Sequence, residues 1–77
     1  MINYGRIGVL MQLSFNKLWK LLIDRNMKKK DLQRVAGISS ASIAKLGKNE
    51  SVSLEVLMKI CYVLDCNFGD IVDFVKK

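Results

Sequence analysis

The chain has 77 residues, with 13 Lys and Arg against 7 Asp and Glu, no His and no Pro, and a net charge of +6. Such a length closes one small core and leaves no room for a second domain. Half of the residues are hydrophobic, which excludes a disordered chain, and the scarcity of helix breakers together with helical apolar spacing predicts an all-α domain.

Residues 1–13 are predicted to be an arm or extension and 14–77 the folded domain. The apolar run Ile7 to Leu13 reads either as a short strand or as a loose arm. Ile7, Val9, Met11 and Leu13 alternate, which would suit an edge strand pairing with a second copy. Met11 also offers an alternative start, with the first ten residues an upstream extension. Helix 1 is predicted from about Phe15 to Arg25 with Ser14 as its N-cap. Phe15, Leu18, Trp19, Leu22 and Ile23 make its apolar stripe, and Trp19 is expected as a core anchor rather than a base-stacking group.

Helix 2 is predicted over Lys29–Ala36, with Leu32, Val35 and Ala36 inward and Gly37 ending it in a left-handed conformation. Ser39 should cap helix 3, Ser40 to Leu46, whose inward residues are Ile43 and Leu46. After a loop at Gly47 to Val52, Ser53 caps helix 4, with Glu55 in its first turn. Leu54, Leu57, Met58, Cys61 and Leu64 are expected on its buried side. Asn67 and Asp70 suggest a capping box for helix 5, Phe68 to Val75, with Phe68, Ile71, Val72 and Val75 toward the core.

Charge is unevenly spread. Lys17 to Lys48 holds nine bases and two acids, net +7, whereas Asn49 to Lys77 holds three bases and five acids, net −2. A solvated surface is the plain reading of such a split. A face for a polyanion is the sharper one, and a basic helix, a glycine turn and a second basic helix favour it.

The segments AGIS, SSASIAKL, VSLEVLMKI and VLDCNFGDI occur in the order and spacing of a known family. From Phe15 to Val75 the chain resembles the Cro/C1-type (XRE-like) helix-turn-helix regulators. The resemblance implies a compact five-helix, lambda-repressor-like DNA-binding domain. It implies that helix 3 enters the major groove of double-stranded DNA, with Ser40, Ala41, Ala44 and Lys45 as base readers. It also implies phosphate contacts from Lys28, Lys29 and Lys30, from Ser39 and Ser42, and from Lys48 and Asn49. Lysine donates to guanine O6 or N7, alanine touches a thymine methyl and serine discriminates poorly, so Lys45 is the main candidate reader. Two departures from the family pattern stand out: Gln33 replaces a usual alanine, and Lys28 replaces a usual Ser or Thr cap.

The function so implied is a sequence-preferring transcriptional regulator, expected to be a repressor and a homodimer on a pseudo-palindrome. Helix 5, with Phe74 off its core stripe, is the expected dimer surface. The alternative is an antitoxin-like module whose main partner is a protein, served by the net-negative half. An enzyme is not expected, because no histidine, nucleophile–base pair, metal-ligand cluster or phosphate-binding glycine loop is present. No cofactor or metal is expected. Cys61 is expected to pack as a small hydrophobe and Cys66 to lie in a turn, and a redox role for the pair is the less favoured reading. No apolar run reaches the ~20 residues of a membrane span and no secretory signal is seen, so a cytoplasmic location is expected.

Overall fold

A computed structural model describes residues 11–76. The element order is β1 (Met11–Ser14), α1 (Asn16–Asp24), α2 (Lys29–Ala36), α3 (Ser40–Gly47), α4 (Leu54–Leu64), a 3-10 turn (Phe68–Asp70) and β2 (Asp73–Lys76). The domain is mostly helical, with four α-helices among the described residues and one small sheet.

The four helices follow local signals. Ser39 Oγ accepts from the Ser42 N–H at 3.1 Å, and Ser53 Oγ accepts from Val56 at 3.2 Å, so both predicted caps are made. Gly37 has φ +65° and ends α2, placing the Ile38 side chain in the core. At the start of α2 Lys28 offers no acceptor, and Asp31 serves instead, its Oδ2 accepting from the Lys28 N–H at 2.9 Å. Helix 1 starts one residue later than predicted. Phe15 occupies the cap position with its ring buried, and Ser14 Oγ accepts from Asn16 at 3.3 Å.

The core is one cluster. Phe15, Leu18 and Leu22 come from the first segment, Leu32 and Ala36 from α2, and Ile38 from the turn. Leu46, Ile60, Leu64 and Ile71 complete it. The buried stripes are narrower than predicted. Leu18 and Leu22 face inward, but Ile23, about 100° further round, is 74% exposed. Val35 is likewise exposed beside buried Leu32 and Ala36. Trp19 is half-buried against the core rather than at its centre. On α4 the inward pair is Ile60 and Leu64, four residues apart. Leu57 and Cys61 flank it, while Leu54 and Met58 point to solvent.

The predicted fifth helix is not formed. Phe68–Asp70 makes one 3-10 turn, in which Asp70 Oδ2 accepts from the Asn67 N–H at 2.9 Å. The Val72 N–H reaches the Phe68 carbonyl at 2.9 Å, and the chain then straightens into β2. Gly69 and the β-branched Ile71, Val72 and Val75 disfavour a helix here, and β1 offers a hydrogen-bonding partner. The strands are antiparallel, pairing Met11 with Lys76, Gln12 with Val75, Leu13 with Phe74 and Ser14 with Asp73. Met11 and Leu13 therefore pair within their own chain, while Ile7 and Val9 lie outside the described residues. Ile71 is fully buried, but Phe68 and Val75 are largely exposed, contrary to the predicted core face.

One long-range side-chain bond ties the loop after α3 to the start of α1. Asn49, in the left-handed region at φ 58°, accepts the Phe15 N–H on its Oδ1 at 3.0 Å. Asparagine tolerates that backbone conformation where alanine does not. Asn49→Ala is expected to cost about 1–2 kcal/mol by leaving the Phe15 N–H without its acceptor and straining residue 49. Urea titration should show this loss, and Asn49→Asp, which keeps an acceptor, should recover most of it.

Candidate nucleic-acid interface

α3 has two sides. Leu46 is fully buried and Ile43 packs on the core, which fixes the rotation of the helix. Ser40, Ala41, Ala44 and Lys45 are all exposed, and their i, i+3 and i+4 spacing makes one continuous strip. The helix contains no acid. An α-helix with its side chains is about 10–12 Å across, close to the width of a B-DNA major groove.

Around this strip the structure sorts the predicted phosphate-binding residues by what already holds them. Lys28, Lys29, Lys30 and Lys48 are exposed. The Lys29 ammonium sits 4.4 Å from the centroid of the Trp19 ring, a cation–π contact. It also lies beside the end of α3, 3.6 Å from where a Cβ on Gly47 would stand. The partial negative charge of a helix C-terminus favours a cation there. Trp19 and Gly47 are not among the residues the sequence singles out for DNA contact, and no local sequence signal links them to Lys29.

The Ser39 hydroxyl donates to Ser42 Oγ at 3.1 Å while its oxygen caps the helix. Ser39 is thus occupied, and the Ser42 hydroxyl proton is left free to donate outward. Asn49 is half-buried, with its side-chain oxygen committed to Phe15. Gln33 is also half-buried.

Not every base of the net +7 stretch belongs to this region. Lys17, Lys20 and Arg25 line a shallow depression of about 380 Å³ together with Asp24, Asp65 and Asp70. The Lys17 ammonium donates to the Gly69 carbonyl at 3.3 Å. Arg34 stands 3.8 Å from Asp31. Folding therefore gives these cations acidic or carbonyl neighbours and leaves those of the α2 start and of α3 as the unbalanced group.

The model of the Cro/C1-type HTH DNA-binding domain matches residues 17–77. The chain belongs to this family. α2, the turn about Gly37 and α3 all lie within the matched residues. Among solved structures the chain is similar to the crystal structure of transcriptional regulator VanUg, Form II, with 56% identity and a TM-score of 0.84. That match covers 88% of this chain and 91% of the other. No curated protein matches. The family and this neighbour together make the chain a DNA-binding regulator domain, and no helix among the described residues is long and apolar enough to cross a membrane.

The two cysteines lie apart from the Cro/C1-type helix-turn-helix. Burial raises the Cys61 thiol from 9.0 to about 11, with the Cys66 sulfur and then Asp70 adding to the effect. At neutral pH Cys61 is a thiol and a poor nucleophile. Its alkylation by iodoacetamide is expected to accelerate about tenfold per pH unit up to that value. The shift also bears on stability. Above pH 9 the unfolded chain gives up this proton before the folded one does, so stability is retained below 9 and declines between 9 and about 11. Alkylation rates followed by mass spectrometry, with melts across the same range, check both statements.

Proposed function

We propose that this domain is a sequence-preferring repressor that reads the major groove of double-stranded DNA with α3. The observation that carries the reading is the exposed, acid-free strip Ser40, Ala41, Ala44 and Lys45, set beside the unbalanced cations of the α2 start. Lys45 is the principal base reader, because its ammonium can donate to guanine O6 or N7. Ala41 and Ala44 contribute contacts to thymine methyls, and Ser40 adds a hydroxyl with little discrimination. Lys28, Lys30 and Lys48 neutralise phosphates, joined by Lys29 when it leaves Trp19. Ser42 donates its free hydroxyl proton. Ser39 and Asn49 act indirectly, by fixing the start of α3 and the loop after it.

In this reading the protein works in the cytoplasm as a homodimer on two related half-sites. Repression needs only occupancy of a promoter, whereas activation demands a further contact with polymerase.

Selection of bound duplexes from a random pool tests the reading. Two related half-sites about one helical turn apart are the expected product. Retention without enrichment would remove the sequence preference, and no retention would remove the DNA. On the selected duplex, Lys45→Ala should relax base preference at one position per half-site by ~1–3 kcal/mol. Lys28→Ala and Lys30→Ala should each weaken all duplexes alike and lower the salt slope by ~1. Polarisation titrations on matched and mismatched duplexes at several salt concentrations separate the two behaviours.

A further inference from the structure

We propose that the ridge of Leu54, Met58 and Tyr62 on α4 is the surface by which two copies of this chain associate about a two-fold axis. The proposal rests on the reading of the chain as a dimeric duplex binder and names the contact that reading lacks. The three residues are four apart, so they stack on one face of α4. They are 66%, 62% and 86% exposed, on the side of the helix away from Ile60 and Leu64. Scattered exposed apolar residues are ordinary, but a contiguous row of large ones marks an interaction surface.

The shape of the face selects its occupant. Met58 and Tyr62 form a crest between two depressions and line both. One, of about 360 Å³, is bounded by Val35, Glu55 and Lys59, and the other, of about 430 Å³, by Cys61, Cys66 and Phe68. A crest flanked by hollows is complementary to itself under a two-fold rotation, since the crest of each copy enters a hollow of the other.

Charge agrees with shape. A chain of net +6 repels its own copy wherever its cations meet. This face instead carries Glu55 and Asp65 against Lys59, and Glu55 lies 3.7 Å from Lys59. An antiparallel α4 from a second copy brings Glu55 of one chain beside Lys59 of the other. No α3 residue lines either hollow, so pairing here leaves the DNA-reading strip open. Phe74 and Val75 make a poorer surface, because neighbours in a strand point to opposite faces.

Sedimentation equilibrium of the full chain at ~100 µM tests the proposal, since a Kd of ~10 µM already pairs most chains at that concentration. The expected mass is twice 8.8 kDa. The double variant Met58→Glu, Tyr62→Glu should be monomeric, with pairing weakened at least ~100-fold by carboxylates forced into the contact. Both positions are exposed, so its circular dichroism and melting temperature should match the unaltered chain. Glu55→Lys and Lys59→Glu should each weaken self-pairing about tenfold, and mixing the two variants should restore a dimer. A monomeric unaltered chain, or a double variant that stays dimeric, overturns the proposal. Failure of the mixture to pair overturns the antiparallel alignment. Binding to a fixed duplex of about three helical turns, measured separately at low salt, reports on the DNA reading alone.

Discussion

A single side chain anchors α3 in the core of the domain. Leu46 is the only residue of α3 that is fully buried, with Ile43 leaning on the same cluster. One anchor fixes a helix in depth but not in direction, so the ends must supply the rest. At the N-terminal end, Gly37 turns the chain and Ile38 enters the core. Ser39 then ties the first turn to its own backbone. At the C-terminal end, Asn49 reaches across to the first residue before α1. The orientation of α3 follows from a hydrophobic pin and two polar clamps, and every outward-facing residue is left free of structural duty.

The same economy governs the charges. A count along the sequence treats Lys17 and Lys20 as equal to Lys28 and Lys30, and the folded chain separates them. The first two look onto Asp24 of their own helix and onto Asp65 and Asp70, which folding brings from the segment after α4. Lys29 is already engaged: its ammonium rests on Trp19 near the end of α3, a site an exposed lysine leaves at little cost. A phosphate approaching the α2 start would therefore compete with a weak intramolecular contact and not with a buried ion pair. The long-range field that a polyanion meets is the sum over all charges, and the cations left without acidic neighbours concentrate its positive part at the α2 start and α3.

Local chemistry made the centre of the domain legible and its margins obscure. Gly37, Ser39 and Ser53 each act through their own backbone neighbours, so their residue types announce the turn and the two helix starts. Asn49 carries no such announcement, because its partner lies 34 residues away and only tertiary folding brings the two together. Phe68 to Val75 misled for a related reason. Its apolar spacing fits a helix, but the decision rests with β1, for which the sequence leaves strand and loose arm both open and suggests a second copy as partner in place of residues 73–76. The stripe of α4 failed differently. With apolar residues on nearly every side, Leu54 and Met58 look no less inward than Ile60. Periodicity cannot orient a helix that is apolar all round.

That ambiguity in α4 and the plainness of α3 have one physical root in the proposed reading. Serine and alanine offer few discriminating contacts, and a good base contact from Lys45 contributes only ~1–3 kcal/mol. One copy would then prefer its site by roughly fivefold to 150-fold. Phosphate contacts raise affinity without adding any preference, so further lysines would not help. Doubling the domain on two half-sites squares the preference without altering a single base-facing residue. For a chain this small, the surface needed to hold two copies must be taken from a helix that also builds the core. Such a helix must be apolar on both sides, and α4, with Ile60 and Leu64 inward and Met58 and Tyr62 outward, meets that requirement.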